Sequence, residues 1–416
     1  MWDWRRCVNP SFARGMMAEN NFWKGAAFGA LFTAAVAAGG YAGYRNAQAP
    51  ANGTVLSDNS RVQKLEYLED LIDTYYLEDK DEDELAEGLY AGLIYGLGDP
   101  YSRYYTAKEY QEENTSSQGS YVGIGVVMQE NKEGGVQIVQ CYEGGPGEEA
   151  GLKEGDVISA IDGQDITESS VSDVASMIRD SDAKSTILTV HRENVEDPLT
   201  ITVPITDVEL PSVFHEMLDS GIGYIRITEF KAVTVEQYKT AFQDLKDQGM
   251  KKMIVDLRDN PGGLLDSVSD ILRQILPEGL IVYTEDKNGN REEETCDGKN
   301  ALDMPLAVLV NENSASASEI FAGAVQDYGI GRIVGTTTYG KGIVQSIRTL
   351  SDGSAVKLTV SKYYTPKGHN IHKTGITPDV EEKLDPNLLN KSDYSHAEDN
   401  QLQKAIQVLE NDGESN

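Results

Sequence analysis

Three serines stand at a position in the chain that suits a nucleophile. Ser314, Ser316 and Ser318 follow an apolar run that predicts a buried strand, Leu306–Val310, and they precede an apolar run that predicts a helix. A serine at such a turn lies above the sheet, where the first N–H groups of the helix can stabilise an oxyanion. The alternative is structural, because Ser316 and Glu319 also match a capping box. The segment alone leaves both roles open and does not separate the three serines.

A pair of glycines follows another predicted buried strand. Gly262 and Gly263 come a few residues after the apolar run Met253–Leu257. Paired glycines let backbone N–H groups approach a ligand closely, so this loop could supply an oxyanion donor from across the site. An ordinary surface loop is the alternative.

A serine nucleophile needs a general base, and Lys341 is the best-placed residue for it. None of the five histidines lies in a sequence context suited to a catalytic base. A lysine accepts a proton only when its pKa falls by several units, which burial achieves by disfavouring the charged form. Gly340 and Gly342 would let the backbone bring the amine close to Ser316. Gln345 could then hydrogen-bond the amine and fix its direction.

The same glycine-rich segment nearly matches a phosphate-binding loop. Gly335, Gly340 and Lys341 have the required spacing, but Gly342 stands where a serine or threonine would hold magnesium. Nucleotide binding is therefore the weaker interpretation. Ser181–Lys184 matches the Ser-x-x-Lys pattern of penicillin-binding enzymes, but it lies in a polar turn and is interpreted as surface.

The overall composition narrows the class of protein. The chain has 416 residues, with 36 basic and 68 acidic side chains and a net charge of −32. This length allows two or three domains. The acidic excess argues against nucleic-acid binding and against electrostatic attraction to anionic lipid. Three scattered cysteines predict neither a disulfide framework nor a zinc site. His369 and His372 lie in a loop without acidic or cysteine partners, so we expect no metal.

An apolar run near the N-terminus predicts a membrane anchor. The twenty residues 25–44 are uncharged, and a helix of that length spans roughly 30 Å of hydrocarbon. Four basic residues precede the run, so the positive-inside rule places everything after Arg45 outside the cytoplasm. A cleaved signal peptide is the competing interpretation, because Ala47–Ala49 has the form of a cleavage site. We expect a single-pass protein of the cell membrane whose catalytic part is extracytoplasmic.

The hydrophobic pattern divides the rest of the chain. Helical spacing over 62–76 and 84–97 predicts two short helices, which have little core of their own and are expected to pack on a neighbouring domain or a second subunit. Short β-runs from Gly119 to Ile205 predict one compact domain, and from Gly223 strands and helices alternate. The predicted strands are Ile124–Met128, Val136–Gln140, Val157–Ile161, Ile187–His191, Leu199–Val203, Tyr224–Ile227, Met253–Leu257 and Leu306–Val310. Further helices are predicted over 170–178, 233–248 and 400–409.

The serine and lysine segments together resemble those of a known family. Residues 314–320, followed by 339–345, are similar to the carboxyl-terminal processing peptidases, the tail-specific serine proteases of bacteria and chloroplasts. In that family the serine two residues ahead of the Ser-Glu pair is the nucleophile, and the base is a lysine 25 residues later. These positions fall on Ser316 and Lys341. Further segments resemble family motifs: 97–102, 256–263, 365–368 and 375–379.

The resemblance implies roles for the neighbouring residues as well. Gln345 falls on the family's lysine-orienting glutamine. The oxyanion donors would be the N–H groups of Ala317 and of Gly262 or Gly263. No metal or organic cofactor is implied for the reaction.

The β-rich insert resembles a PDZ domain. Residues 121–126 stand where the family's carboxylate-binding loop lies, and 144–156 continue the match. A PDZ groove takes an extended peptide as an added strand and holds its terminal carboxylate on backbone N–H groups. The resemblance therefore implies substrates selected by their C-terminal tails. The implied peptide-binding residues are Val122, Gly123, Ile124 and Gly125.

The expected fold is an α/β protease core with a crotonase/ClpP-like sheet, an inserted β-rich PDZ domain, a helical N-terminal region and a single N-terminal transmembrane helix. The expected limits are a cytoplasmic N-terminus 1–24, an anchor 25–44, a linker 45–60, an N-terminal helical region 61–117, a PDZ domain 118–206, a serine protease core 207–384 and a C-terminal helical tail 385–416. Expected partners are protein or peptide substrates with accessible C-termini and a second copy in a homodimer. A non-catalytic PDZ scaffold is the competing class, and the intact serine, lysine and glutamine argue against it.

Overall fold

The fold is taken from a computed structural model. It describes residues 54–179, 181, 183–389, 391 and 394–412. The predicted anchor at 25–44 and the segment before it lie outside these residues. Within the described ranges no helix is both long and apolar enough to cross a bilayer. The chain divides into two compact units, of which the first ends at Glu82 and the second begins at Asp83.

The first unit contains one of the two predicted N-terminal helices. Helix α1 (Asn59–Tyr75) follows a 3-10 turn, Val55–Ser57, and confirms the helix predicted over 62–76. The Asp58 side chain caps α1 by accepting a hydrogen bond from the Ser60 N–H (3.0 Å), as a helix N-terminus requires. None of the α1 side chains is buried within the described chain.

The second unit begins with a helix, a short strand and a further helix. Helix α2 (Glu82–Tyr95) confirms the helix predicted over 84–97, and β1 (Arg103–Tyr105) and α3 (Ala107–Gln118) follow it. The sequence analysis did not predict α3 as a separate element. Its capping box is visible in the sequence, because Thr106 accepts from the Glu109 N–H and the Glu109 carboxylate accepts from the Thr106 N–H.

The β-rich insert forms a module with its own hydrophobic core. Strand β2 pairs antiparallel with β9, which brings the two ends of the insert together. The remaining strands have the order β3-β4-β5-β7-β8, with β6 beside β5. All five predicted β-runs are strands, although the first starts late because Gly125 has φ 71°. The elements are β2 (Ser120–Gly123), β3 (Val126–Glu130), β4 (Val136–Cys141), α4 (Pro146–Glu149), β5 (Val157–Ile161), β6 (Gln164–Asp165), α5 (Val171–Arg179), β7 (Ser185–His191), β8 (Leu199–Pro204) and β9 (Thr206–Glu209).

The following segment builds an α/β core around a mostly parallel sheet. The strand order is β10-β11-β12-β15-β16-β19, and only the β10 pairing within this sheet is antiparallel. The apolar strands β12 and β15 are buried neighbours, as their sequences predict. The elements are β10 (Val213–Leu218), β11 (Ile222–Ile227), α6 (Thr234–Asp247), β12 (Lys252–Asp256), α7 (Leu265–Leu272), β15 (Leu306–Val310), α8 (Ala317–Tyr328), β16 (Arg332–Gly335) and β19 (Val380–Glu381).

A second, antiparallel sheet lies beside the α/β core and was not predicted. It consists of β1, β13 (Gly279–Asp286), β14 (Arg291–Cys296), β17 (Ile343–Thr349) and β18 (Ala355–Tyr364). Strand β17 begins two residues after Lys341, so this sheet positions the predicted base. Helix α9 (Asn400–Asp412) packs its buried leucines against the parallel sheet and confirms the predicted C-terminal helix.

Candidate active site

The loops that follow two neighbouring parallel strands meet at one edge of the core sheet. Strand β12 pairs with β15 in register, Asp256 beside Leu309. Because the carboxyl ends of parallel strands lie at the same edge, the loop after β12 and the turn after β15 come together. Gly262 lies so close to the turn that a Cβ on it would stand 2.8 Å from the Cβ of Ser316. The two predicted halves of the site are therefore adjacent.

The three serines have different surroundings. Ser314 Oγ donates to the Leu257 carbonyl (2.7 Å) and Ser318 Oγ donates to the Asn260 carbonyl (3.0 Å), and both side chains are fully buried. These two hydroxyls tie the turn to the neighbouring loop. Ser316 is partly exposed and lines a cavity of about 310 Å³. A hydroxyl that is to attack a substrate must reach solvent-accessible space, so Ser316 is the serine suited to that role.

The backbone at Ser316 has an unusual conformation. Its φ of 55° and ψ of −113° fall in a region that non-glycine residues rarely adopt, and such strain is concentrated at functional sites. Helix α8 begins at the next residue. The Ser316 carbonyl accepts a hydrogen bond from Tyr363 Oη (3.1 Å), which fixes the turn from the neighbouring antiparallel sheet. A sharp strand-to-helix turn of this kind exposes the side chain that it carries.

The fully buried carboxylate of Glu319 joins the serine segment to the lysine segment. It accepts hydrogen bonds from the N–H groups of Ser316 (2.9 Å), Gly340 (2.7 Å) and Lys341 (2.9 Å) and from Thr338 Oγ1 (2.6 Å). Hydrogen bonds to a buried charge are strong, and losing the charge leaves these donors unsatisfied. Sequence reasoning assigned Glu319 to a capping box alone. An acidic residue in the apolar first half of the helix was the signal that it does more.

Lys341 is in an environment that favours its neutral form. Burial lowers the pKa of Lys341, and the positive charge of Lys357 lowers it further, while Glu319 opposes the shift. Its Nζ lies 5.0 Å from the centre of the Tyr101 ring. Lys341 and Ser316 line the same cavity. The lysine pKa also moves in the direction that base catalysis requires.

Gln345 also lines this cavity, on β17. Its Nε2 donates to Thr359 Oγ1 (3.3 Å) on the paired strand β18. The side chain is therefore held from the strand opposite, at the same cavity wall as Lys341.

The two glycines of the predicted oxyanion loop make different contacts. The Gly262 N–H donates to Asn260 Oδ1 (2.8 Å), and Asn260 Nδ2 in turn donates to the Ile227 carbonyl (2.9 Å). The N–H of Gly262 is thus engaged within the loop. Gly263 has φ 136°, and a Cβ there would lie 2.1 Å from the Phe230 carbonyl oxygen. Each position requires glycine, for close approach to Ser316 and to Phe230 respectively.

The predicted peptide-binding residues of the insert lie together where β2 runs into β3. Val122 is exposed, and Ile124 is buried. The Tyr121 ring folds back over Gly123, so that a Cβ on Gly123 would lie 2.5 Å from Tyr121 Cε2. Burial raises the pKa of Tyr121 to about 12, while the backbone N–H groups of Val126 and Gly125 act in the opposite direction, which indicates that the phenol lies near them.

Sequence reasoning missed this contact of Tyr121. These two N–H groups belong to the loop that was predicted to bind a peptide carboxylate, and the phenol of Tyr121 lies near them. The signal was an aromatic residue two positions before the first glycine of the loop, from which its ring can fold back over Gly123.

Known proteins share these segments. The model of peptidase family S41 matches residues 221–382, a PDZ domain model matches 137–192, and a model described as the activating protease CtpB N-terminal domain matches 29–109. A carboxyl-terminal-processing protease of Synechocystis sp. is 38% identical over 322 residues, which cover 76% of this chain and 75% of that protein. A probable CtpA-like serine protease of Staphylococcus epidermidis is 34% identical over 332 residues, covering 79% and 67%.

A solved structure also matches. The photosystem II D1 C-terminal processing protease shares 29% identity with this chain, and the match covers 82% of this chain and 90% of that one at a TM-score of 0.45. The sequence relatives define the class: this chain belongs to the carboxyl-terminal processing peptidases, serine proteases of family S41 that carry a PDZ domain. The resemblance found in the sequence is confirmed.

Proposed function

We propose that this protein is a serine endopeptidase that uses Ser316 as its nucleophile and Lys341 as its general base. The observation that carries the proposal is the Glu319 carboxylate, which holds the backbone of both residues beside one cavity. The lowered pKa of Lys341, which follows mainly from burial, supports the same roles. Gln345 lines that cavity and is proposed to orient the amine.

The proposed reaction proceeds through an acyl-enzyme. The neutral Lys341 amine takes the proton of the Ser316 hydroxyl as Oγ attacks the peptide carbonyl. The resulting ammonium then gives this proton to the leaving amine as the peptide bond breaks. In the second half, Lys341 takes a proton from water, the hydroxide oxygen attacks the ester, and the proton returns to Ser316 Oγ. Both halves use only groups on this chain and water.

The tetrahedral oxyanion is proposed to bind backbone N–H groups at the N-terminus of α8 and in the loop that contains Gly262 and Gly263. Ala317 is the first residue of α8, where helix N–H groups have no partner inside the helix. On the other side, Gly263 is favoured over Gly262, because the Gly262 N–H already donates to Asn260 Oδ1. The positive N-terminal end of the α8 dipole further stabilises the oxyanion.

The PDZ domain is proposed to select substrates by their C-terminal tails. Support comes from the glycine-containing loop at 122–125 and from the fold of the insert around its own core. A tail would add as a strand beside β3 and place its carboxylate on the N–H groups of this loop. The names of the related proteins agree with substrates that are processed near the C-terminus.

Several further features are proposed on sequence grounds. They are the crotonase/ClpP-like relationship of the core sheet, the seven segment limits given above, and a homodimer. The uncharged run at 25–44 and the basic residues before it support an anchor in the cell membrane, with the catalytic part outside the cytoplasm. The location would be tested by adding an external protease to intact cells and measuring whether it digests the catalytic part of this protein.

Proteolysis of a tailed substrate tests the proposed function. The full chain is incubated with an unfolded reporter protein that ends in an apolar tail, and with the same reporter whose terminal carboxylate is amidated. Wild type should cleave the free-tail reporter faster, and Ser316→Ala and Lys341→Ala should cleave neither. Cleavage by the Ser316→Ala protein would refute the mechanism. Equal cleavage of the two reporters would refute selection by the tail.

A further inference from the structure

The catalytic cavity contains a second lysine that the proposed mechanism does not use. Lys357 lines the same cavity as Ser316 and Lys341 and is only partly exposed. It lies on β18 opposite Ile347, two residues before Thr359, which stands opposite Gln345. Side chains two residues apart on a strand share a face of the sheet, so Lys357 projects from the wall that carries Gln345.

The position of Lys357 is fixed by an ion pair. Its Nζ lies 2.9 Å from Oε1 of Glu113 on helix α3 and 3.4 Å from Oη of Tyr105. Burial by itself lowers the pKa of Lys357, but the hydrogen bonds to Glu113 and Tyr105 outweigh it, and the net shift is upward. Lys357 therefore stays charged over the pH range in which a catalytic base must work.

The pKa values of the two lysines of the cavity are thus shifted in opposite directions. Lys341 Nζ lies 5.0 Å from the centre of the Tyr101 ring, and the Glu319 carboxylate accepts hydrogen bonds from backbone N–H groups and from Thr338. Lys357 has a carboxylate within ion-pair distance. Because a second cation near Lys341 makes its protonation less favourable, the fixed charge of Lys357 adds to the effect of burial.

Other titratable groups around the cavity do not supply this charge. Lys231 also lines the cavity, with its Nζ 3.2 Å from Oε2 of Glu229, but its charge is not among those that shift the pKa of Lys341. The phenols Tyr101 and Tyr363 are neutral at ordinary pH, since their pKa values are raised by the Tyr339 hydrogen bond and by burial, respectively. Glu319 acts in the opposite direction and favours protonated Lys341. Lys357 is thus the cation whose charge lowers the pKa of Lys341.

We propose that Lys357 is a positioning residue for the reaction: its ammonium, held on the cavity wall by Glu113, disfavours protonation of Lys341 and so increases the fraction of its amine that can accept the Ser316 proton. The inference rests on the proposed role of Lys341 as base. It also gives α3 a purpose, since this helix carries Glu113 and leads directly into β2 of the PDZ domain. Any movement of α3 would change the charge that Lys341 experiences.

The pH dependence of Ser316 activation tests this inference. The full chain is treated with a fluorophosphonate, which labels activated serines, and the labelling rate is measured between pH 5 and pH 10. In Lys357→Met the midpoint of the acidic limb should move up by about one pH unit, as expected for losing a nearby positive charge. Lys357→Arg should restore the midpoint, because it keeps the charge. Lys362→Met is the matched control and should leave the midpoint unchanged, because this exposed lysine of β18 does not line the cavity.

The outcomes separate this inference from the proposed function. An unchanged midpoint in Lys357→Met, or a midpoint in Lys357→Arg that stays with the methionine variant, would overturn the role of Lys357. Labelling that is absent in wild type, or that survives Lys341→Ala, would instead overturn Lys341 as the base. Thermal unfolding of each variant shows whether the fold is intact, and a purely structural role of Lys357 would change the unfolding temperature without moving the midpoint.

Discussion

The turn at Ser316, which we call the catalytic turn after its proposed role, and the loop proposed to bind substrate tails both place backbone N–H groups near one acceptor, but the acceptors differ in kind. At the catalytic turn the acceptor is the fully buried carboxylate of Glu319, on a core helix. At the loop between β2 and β3 it is the phenol of Tyr121, a side chain at the surface of the insert. Buried backbone donors need partners in either case.

This difference indicates which of the two regions is preorganised before its ligand binds. The Glu319 carboxylate is part of the core, so the backbone around Ser316 and Lys341 is assembled before any substrate arrives. The donors of the loop proposed to bind substrate tails lie near a neutral group, the Tyr121 phenol, which a peptide carboxylate could replace. We therefore expect substrate binding to change the insert more than the catalytic turn.

The largest expected effect concerns the charge state of Lys341. The amine must be neutral to act as a base, and its folded pKa is lowered, so wild-type proteolysis should rise with pH and level off below the ordinary lysine pKa of about 10.4. Lys341→Arg should abolish proteolysis, by more than about a thousandfold, because a guanidinium stays protonated. Lys231→Arg is the control. Substantial activity of Lys341→Arg would show that another group is the base.

Glu319→Gln tests whether the catalytic turn is assembled by its carboxylate. An amide offers one acceptor oxygen and places an NH₂ group against N–H donors, so we expect proteolysis to fall by more than about a hundredfold and the free energy of unfolding to fall by about 3 kcal/mol. Glu312→Gln is the matched control, since this exposed side chain accepts only from Thr336 Oγ1 among the hydrogen bonds described for it. A fully active Glu319→Gln protein would contradict the comparison.

Gly262→Ala probes the close approach of the loop to Ser316. The added Cβ would lie 2.8 Å from the Ser316 Cβ and 2.9 Å from the Ala317 nitrogen, so one of the two segments must move. We expect a loss of activity of about tenfold to a hundredfold. Gly92→Ala, in α2, meets nothing within 4 Å and should retain wild-type activity. The proteolytic activity of both variants is measured under identical conditions. Full activity of Gly262→Ala would show that the close approach of Gly262 to Ser316 is not required for catalysis.

The smallest expected effect is at the tail-binding loop. Tyr121→Phe removes the phenol oxygen from the N–H groups of Gly125 and Val126, so a peptide carboxylate no longer competes with it. We expect the affinity for an apolar tail peptide to rise about threefold to tenfold, the value of one or two ordinary hydrogen bonds. Fluorescence anisotropy of a labelled peptide measures this. Tyr142→Phe is the control, and unchanged affinity in Tyr121→Phe would remove the contrast between the two regions.

The sequence predicted the elements with a strong local pattern. The apolar runs of β12 and β15 and the alternating runs of the insert all became strands, because burial fixes their periodicity. The antiparallel sheet of β13, β14, β17 and β18 was missed. Its strands are mixed in polarity, and the pairing of β13 with β18 joins residues that are far apart in the chain.

The residues of the candidate site were less predictable from local sequence patterns than the strands and helices. The interval from Ser316 to Lys341 identified both residues through the family, whereas composition could not choose among Ser314, Ser316 and Ser318. That choice depends on which hydroxyls bond to the neighbouring loop, and this is a property of the fold. The contacts of Glu319 and Lys357 likewise join separate segments of the chain, whereas that of Tyr121 is local.

The most direct test of the central claim is to locate a covalent adduct. The full chain is treated with a fluorophosphonate, digested, and analysed by mass spectrometry. The adduct should be found on Ser316 in wild type, and it should be absent from Lys341→Ala at the same pH. An adduct on Ser314 or Ser318, or equal labelling of Ser316 in Lys341→Ala, would contradict the serine–lysine mechanism.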